Sequence, residues 1–465
     1  MKHIRRHLGR SFPAGLVGLL VVALVLGLAT GVPGSATANA MEKVGLRPSA
    51  PNTFDAAILE QAQPEATPAP EPAPVAEAAV AEPGVDAGRV QAQLASVGPP
   101  PGTAVGQILD ASSDAALYES QPEQAAVPAS TMKLLTALTV LDGHGADHRF
   151  VTEVRGGETP EQIWLVGGGD PYLTSADLDG LADRTAAALQ EAGQTRVDLG
   201  VDATGFAGDG WNPVWGENYR SYVAPTEALR VDRARLGTED VGPRSQTPAD
   251  DAARVFADAL RSRGLEVAGP TRGTAPDSDT AHAEVESAPL SSIVEQVLVE
   301  SDNDGAEMLF RHIGRLDDGD GSIAAAQQQV QSRLTELGVW RDGMVVSDGS
   351  GLSRDNRVTP TALTAALNLA LAEEHPELRA VISGLPVAGA EGTMADRFVE
   401  SGTAEGRGLV RAKTGTLSGV HTLAGQVRTQ DGSILVFAFL LSGPDYDSRV
   451  WLDRVTSALA TCGCR

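Results

Sequence analysis

Two residues three positions apart, Ser130 and Lys133, have the types and the spacing that nucleophilic catalysis requires. They stand at the start of a predicted amphipathic helix, and residues at i and i+3 lie on one face of a helix. A serine hydroxyl becomes a useful nucleophile only when a base removes its proton. A lysine can be that base if burial or nearby positive charge lowers its pKa, whereas an arginine keeps its proton in proteins. Ser130 could instead cap the helix, the commoner role of serine before an apolar run.

A second short motif, Ser301-Asp302-Asn303, falls in the turn between two predicted helices. It offers a hydroxyl for proton relay and an amide for hydrogen bonding. Its plainer interpretation is that Ser301 and Asn303 are helix caps.

A third motif, Lys413-Thr414-Gly415, lies in a predicted strand, Gly408 to Thr416. A cation and a hydroxyl at a strand edge could hold the anionic end of a substrate, and Gly415 would let the substrate backbone approach closely. Lys413 could also be an ordinary exposed charge on the strand.

The scarcity of lysine strengthens the interpretation of these motifs. Lys and Arg together number 36, but only four are Lys: Lys2, Lys43, Lys133 and Lys413. The first two precede the globular part, so both of its lysines belong to the motifs. In a chain that uses arginine for ordinary positive charge, a retained lysine is a candidate for chemistry that arginine cannot perform.

Composition argues against several other kinds of function. Asp and Glu number 61, which gives a net charge of −25 and argues against nucleic acid as a partner. Cys462 and Cys464, the two cysteines, exclude a disulfide scaffold or a cysteine zinc site, and a bridge between them would add little stability. His144 and His148 are expected in a loop rather than in a metal site. The three glycines from Gly167 predict a turn, and no cofactor is predicted.

The elements that must position the motifs predict an α+β fold. Thr103 to Leu109 and Ala115 to Glu119 predict a hairpin, and two further strands follow the third motif, Thr422 to Arg428 and Ile434 to Leu441. Besides the helix of the first motif, apolar periodicity predicts helices at about Asp177 to Ala192, Pro248 to Gly264, Ala288 to Ser301, Asp304 to Gly314 and Ser448 to Ala460.

The first 88 residues are expected to lie outside the folded part. Residues 1–40 have a basic start, an apolar stretch from residue 14 to 32 and small-x-small sites, the pattern of a secretory signal peptide. The same stretch is long enough to remain as a membrane anchor. Residues 41–88 are rich in Pro, Ala and Glu and predict an extended linker. Either way, the sequence predicts an exported protein, secreted or held in the cell envelope.

Together the three motifs resemble those of the active-site serine penicillin-recognising enzymes. The likeness is closest to the class C low-molecular-mass penicillin-binding proteins, the D-alanyl-D-alanine carboxypeptidase/endopeptidase family, and it covers roughly residues 89–465. Further segments are similar to that family: Pro128 to Ser130, Val166 to Pro171, Ala306-Glu307, Asp348 to Arg354, Leu385-Pro386 and Gly392-Thr393.

This resemblance implies a transpeptidase-like or β-lactamase-like domain, a five-stranded antiparallel sheet flanked by helices, formed by residues 89–150 and 283–465. Residues 151–282 would form a smaller inserted domain. The implied partners are peptidoglycan stem peptides ending in D-Ala-D-Ala, with β-lactam antibiotics as inhibitors. No metal or cofactor is implied.

The resemblance also implies a role for each catalytic residue. Ser130 would attack the carbonyl between two terminal D-alanines and form an acyl-enzyme, while Lys133 takes its proton. Ser301 would relay a proton to the leaving amine with the help of Lys413. Asn303 would orient both the substrate amide and Lys133.

Substrate binding would fall to the strand of the third motif. Thr414 and Thr416 would bind the terminal carboxylate beside Gly415. The backbone N–H groups of Ser130 and Thr416 would form the oxyanion hole.

Two alternative functions stay open on the sequence alone. A serine β-lactamase shares the three motifs, but the long stretch between Lys133 and Ser301 has room for a whole domain, and no Glu-x-x-x-Asn is placed to drive deacylation. A non-catalytic wall-binding scaffold could use the same fold, although the intact motifs argue against it.

Overall fold

A computed structural model of the protein describes residues 84–237, 241–277 and 281–465. The predicted signal or anchor segment, residues 1–40, and nearly all of the predicted linker lie outside these residues. Within the described ranges no helix is both long enough and apolar enough to cross a bilayer.

The described chain alternates strands and helices. The strands are β1 (Thr103–Asp110), β2 (Ala116–Ser120), β3 (Val151–Gly156), β4 (Gln162–Val166), β5 (Arg196–Asp202), β6 (Glu266–Arg272), β7 (Ala281–Glu286), β8 (Val410–Leu417), β9 (Val420–Arg428) and β10 (Ile434–Ser442). The α-helices are α1 (Ala87–Ala95), α2 (Met132–His144), α3 (Ser175–Glu191), α4 (Pro248–Ser262), α5 (Leu290–Glu300), α6 (Asn303–Ile313), α7 (Ile323–Glu336), α8 (Pro360–Leu371), α9 (Ala380–Ser383) and α10 (Asp445–Ala460).

The first sheet has five antiparallel strands in the order β2-β1-β10-β9-β8. β10 is central, and its residues from Leu435 to Leu441 are all buried because helices cover both faces. β8, which carries the third motif, lies at the edge and pairs only with β9 within the sheet. The predicted α+β fold and five-stranded antiparallel sheet are confirmed, and so is the predicted β1–β2 hairpin.

A second, mixed sheet has the order β6-β5-β4-β3-β7. β4, β5 and β6 pair in parallel, and β3 pairs antiparallel with both of its neighbours. Helices α3 and α4 pack on this sheet and close a separate apolar core with it. All these elements lie between Val151 and Glu286, and the predicted limits of the inserted domain, 151–282, remain a prediction.

Helix α2 was predicted to be amphipathic, but in the structure it is buried on all sides. Every residue from Met132 to Leu141 is buried, because α5, α6, α7 and α8 pack around it. A helix enclosed on all sides belongs to the interior of a domain. It also continues through His144, which was expected in a loop, and ends at Gly145 with φ +83°. Within the described residues no group of three His, Cys, Asp or Glu is placed to hold a metal ion.

The end of the chain packs back against its globular start. Cys462 and Cys464 form a disulfide and are both buried. The Cys464 carbonyl accepts a hydrogen bond from the Asp86 N–H at 2.7 Å, just before α1. The small disulfide ring therefore lies where the two ends of the described chain pack together.

Candidate active site

Ser130 lies in a single 3-10 turn, Ala129–Thr131, that leads into α2. The Pro128 carbonyl anchors this turn by accepting hydrogen bonds from Thr131 Oγ1 at 2.7 Å and Thr422 Oγ1 at 2.8 Å. No side chain caps the start of α2. The Ser130 hydroxyl therefore does not serve as a helix cap, and it receives a hydrogen bond from Lys133 Nζ at 3.2 Å.

Lys133 is fully buried one turn into the helix and has three acceptors around Nζ. These are Ser130 Oγ at 3.2 Å, Asn303 Oδ1 at 2.7 Å and the Ser350 carbonyl at 2.7 Å. Burial lowers the pKa of Lys133 to about 8, against the opposing attraction of nearby carboxylates, Glu307 first among them. A group with that pKa is neutral in roughly a tenth of the molecules at pH 7. Lys133 can therefore accept the serine proton.

Ser301 ends α5 in the left-handed conformation, with φ +57° and ψ +36°. Its hydroxyl accepts a hydrogen bond from Lys413 Nζ at 2.8 Å, and the same amine donates to the Thr414 carbonyl at 3.0 Å. Lys413 is fully buried, so its interpretation as an exposed strand charge is wrong. Burial lowers the pKa of Lys413 well below its usual value, and the charge of Lys133 lowers it further.

Asn303 is the first residue of α6, and its side chain faces two partners. Its Oδ1 accepts from Lys133, and its Nδ2 donates to the Tyr222 carbonyl at 3.2 Å. Asp302 supplies the side-chain cap of α6 through the Asp304 N–H. Neither Ser301 nor Asn303 has that capping role.

Thr414, Gly415 and Thr416 run along β8 beside Ser130. A Cβ at Gly415 would lie 2.9 Å from the Ser130 N and closer still to Thr422 Oγ1, so only glycine lets the strand come this near. A pocket of about 380 Å³ is lined by Ser130, Ser301 and all three of these residues. The structure thus brings every predicted site residue to one place, with both lysines buried behind the hydroxyls.

Arginines from the residues between β5 and α4 hold the helix turn of the second motif. Asp304, nearly inaccessible to solvent, accepts hydrogen bonds from Arg230, from Arg244 and from the Ala224 N–H. Arg233 forms an ion pair with Glu300, just before Ser301. Sequence reasoning missed these partners, because nothing in the local pattern links arginines and acids so far apart along the chain.

Sequence reasoning also gave no role to the segment around Ser350, whose carbonyl is the third acceptor of Lys133. A backbone acceptor leaves no signature in residue type. The only signal was the similarity of Asp348 to Arg354 to the family named above.

Comparison with known proteins identifies the chain's relatives. Residues 87–242 and 235–458 match the model of the D-Ala-D-Ala carboxypeptidase 3 (S13) family. The chain belongs to this family.

Curated relatives of this S13 enzyme are named as carboxypeptidases. A carboxypeptidase of Mycobacterium tuberculosis is 35% identical over 425 residues, which cover 85% of this chain and 90% of that protein. A D-alanyl-D-alanine carboxypeptidase of an Actinomadura species is 31% identical over 420 residues, which cover 72% of this chain and 77% of the relative. The S13 chain is a serine carboxypeptidase, and the predicted membership among the class C low-molecular-mass penicillin-binding proteins is confirmed.

Solved structures support the fold. Penicillin-binding protein 4 of Haemophilus influenzae is similar with a TM-score of 0.67 at 21% identity, over 79% of this chain and 98% of that protein. Family membership favours a carboxypeptidase over both the β-lactamase and the scaffold alternatives.

Proposed function

We propose that this S13 carboxypeptidase removes the terminal D-alanine from peptidoglycan stem peptides that end in D-Ala-D-Ala, through an acyl-enzyme on Ser130. The observation that carries the proposal is the fully buried Lys133, whose amine lies 3.2 Å from the Ser130 hydroxyl. Relatives named as D-alanyl-D-alanine carboxypeptidases support the choice of substrate. Such peptides belong to the cell wall, so the enzyme acts outside the cytoplasm.

In the acylation step Ser130 Oγ bonds to the penultimate D-alanine carbonyl carbon, and neutral Lys133 takes the serine proton. The carbonyl oxygen becomes an anion, which the N–H groups of Ser130 and Thr416 stabilise. The C–N bond then breaks as Ser301, hydrogen-bonded to Lys413, relays the proton from Lys133 to the leaving amine, which leaves Lys133 neutral again. Free D-alanine departs and leaves an ester on Ser130.

In the deacylation step a water molecule replaces the leaving amine. Lys133 takes a proton from the water, whose oxygen bonds to the ester carbon, and the bond to Ser130 Oγ breaks as the hydroxyl is restored. The products are the peptide shortened by one D-alanine and the free enzyme.

The substrate is oriented by its terminal carboxylate. Thr414 and Thr416 line the pocket on the exposed edge of β8, and the buried Lys413 amine donates a hydrogen bond to the Thr414 carbonyl behind it. Thr414 Oγ1 is already hydrogen-bonded to Thr393 Oγ1 at 2.8 Å, which fixes its direction. The same groups would hold the carboxylate of a penicillin, which would acylate Ser130 in place of the peptide.

Intact-mass analysis after incubation with benzylpenicillin tests the proposal, with wild type beside Ser130→Ala. We expect one penicilloyl adduct on wild type and none on the variant. Hydrolysed penicillin without an adduct would indicate a β-lactamase instead. Untouched penicillin, together with an uncleaved D-Ala-D-Ala pentapeptide, would contradict the proposal.

Product analysis then defines the substrate. The enzyme is expected to release D-alanine from a pentapeptide that ends in D-Ala-D-Ala. Parallel incubation with a cross-linked peptide dimer measures any endopeptidase activity of the same site.

A further inference from the structure

The third acceptor of Lys133 belongs to a peptide group that a carboxylate holds at its other end. The Ser350 carbonyl lies 2.7 Å from Lys133 Nζ, and the N–H of the same peptide group, on Gly351, donates to Asp348 Oδ1 at 2.8 Å. A single peptide group therefore links Asp348 to Lys133. A carboxylate that accepts from the N–H end strengthens the carbonyl end as an acceptor.

Asp348 is itself completely buried and firmly held. Its two oxygens accept four hydrogen bonds, from Gly351 N at 2.8 Å, Asn356 Nδ2 at 2.7 Å, Ser353 N at 2.6 Å and Trp215 Nε1 at 2.9 Å. All four donors are neutral N–H groups, so they replace the water around the carboxylate without cancelling its charge.

The loop that carries this peptide group packs directly on the turn of Ser130. Gly351 has φ +82°, and a Cβ there would lie 3.1 Å from Met132 Cβ and would run into the Ala129 carbonyl group. Any side chain would push the loop away from the turn and the Ser350 carbonyl away from Lys133. Gly351 therefore keeps in place the peptide group that links Asp348 to the Lys133 amine.

A second acid, Glu307 on α6, supports the preceding peptide group. Its Oε1 accepts from the Ser350 N–H at 2.7 Å. Burial, together with the neighbouring Asp348, raises the pKa of Glu307 to about 8. Glu307 therefore carries less negative charge at neutral pH than an exposed glutamate would.

We propose that Asp348 is a positioning residue for Lys133, which it orients and holds in place through the Ser350–Gly351 peptide group. This inference rests on the proposed role of Lys133 as the base, and it adds the group that sets the direction and proton affinity of that base. Asp348 touches neither the substrate nor Ser130.

Other charges face Lys133 and must be kept constant in a test. Glu307 and Asp304 lie on α6, Asp302 precedes that helix, and Lys413 approaches from β8. Substitution of Asp348 alone leaves all of them in place.

The scarcity of lysine gives a direct readout. The full chain has four lysines, so a protein labelled with ¹³C at lysine Cε gives few signals, and Lys133→Arg identifies that of Lys133. In Asp348→Asn we expect the titration midpoint of Lys133 to fall by about one pH unit, because a nearby negative charge favours the protonated amine. The acylation constant with benzylpenicillin should fall at least tenfold. Asp453→Asn removes another buried carboxylate, paired with Arg397, and should leave the midpoint unchanged.

An unchanged Lys133 midpoint in folded Asp348→Asn would overturn the inference, even if acylation slowed. If Asp348→Asn does not fold, Asn356→Ala replaces it, because it removes one donor to Asp348 and keeps the charge. In that variant a shifted Lys133 signal with at least fivefold slower acylation supports the inference, and any other outcome counts against it. Failure of the wild-type enzyme to react with penicillin would instead contradict the proposed function. Failure of the Asp348 inference and failure of the proposed function are therefore distinguishable.

Discussion

At the scale of single residues, the site depends on two amines that the fold keeps away from water. Lys133 and Lys413 are each fully buried, and each lies within hydrogen-bond distance of a serine hydroxyl, Ser130 and Ser301 respectively. Burial disfavours the charged forms of both amines and lowers both pKa values, to about 8 for Lys133. A charge on Lys133 also repels a charge on Lys413, which lowers the pKa of Lys413 further.

The rate of acylation should depend on pH through Lys133. Its pKa lies near 8, and only the neutral amine can accept the Ser130 proton. We therefore expect the second-order rate constant for penicillin to rise about tenfold per pH unit below 8 and to level off above it. Stopped-flow kinetics, or mass spectrometry of quenched reactions, from pH 5.5 to 9.5 would show the rise and the plateau. A rate that is flat across that range would contradict the assignment of Lys133 as the base.

Lys133→Arg should abolish acylation. Arginine keeps the positive charge and can keep hydrogen bonds to Asn303 and the Ser350 carbonyl, but it cannot take a proton. We expect a loss of at least 10³-fold in acylation by penicillin. Arg411→Lys exchanges the same two residue types at an exposed position of β8 and serves as the control. It should be acylated by penicillin at the wild-type rate. Labelling of Lys133→Arg at the wild-type rate would refute the role.

At the scale of elements, the second motif depends on how α5 and α6 meet. Asp302 caps α6, and the buried Asp304 binds two arginines that come from outside either helix. These contacts hold the turn from which Ser301 reaches Lys413 and Asn303 reaches Lys133. The turn therefore keeps its geometry only while the arginines stay paired.

Asp304→Ala should destabilise the fold strongly. It leaves Arg230 and Arg244 buried without their common carboxylate, and breaking a buried pair from one side costs about 3–5 kcal/mol. Urea unfolding followed by circular dichroism measures that loss, and penicillin acylation should fall with it as Asn303 shifts. Glu373→Ala, at an exposed position, should change stability by less than about 0.5 kcal/mol. Equal stability of the two variants would show that Asp304 is not the anchor.

Much of the fold and site was predictable from the sequence, and the gaps have physical causes. Strands of the first sheet and the three motifs were found because alternation, turn residues and scarce lysines are local signals. The strands of the second sheet were not, although Val197, Leu199 and Val201 in β5 alternate clearly inward. Helices α7 and α8 were also missed. The Ser350 carbonyl was beyond prediction, because any residue type supplies a backbone acceptor.

At the scale of the whole molecule, a histidine cluster joins α6 to the loop after β4. His312 donates a hydrogen bond from Nε2 to the Gly169 carbonyl at 2.8 Å, and its ring stacks on Phe150 with ring centroids 3.8 Å apart. His144 and His148 lie beside it, and burial lowers the pKa of all three rings. The buried contact between α6 and the loop after β4 therefore favours the neutral form of these imidazoles.

This cluster should make the fold less stable in mild acid. A histidine with a lowered pKa stays neutral in the fold but takes up a proton when unfolded, so stability falls as pH drops below about 6.5. In His312→Gln, the fall in unfolding free energy between pH 6.5 and 5.5 should be smaller by up to about 1.4 kcal/mol. Urea titrations at several pH values measure the slope, with His375→Gln as a half-exposed control. Parallel slopes for wild type and His312→Gln would exclude the cluster as the cause.

The burial of both lysines also governs how the enzyme can be cut. In the described residues the peptide bonds after Lys133 and Lys413 are the only ones that a lysine-specific protease recognises, and they lie in α2 and β8. Neither can enter a protease cleft until the helix or the sheet opens. Cleavage at these two bonds would therefore report the opening of the catalytic centre itself, while trypsin, with many exposed arginines to choose from, would not. The burial that lowers the pKa of both amines also hides the neighbouring peptide bonds from digestion.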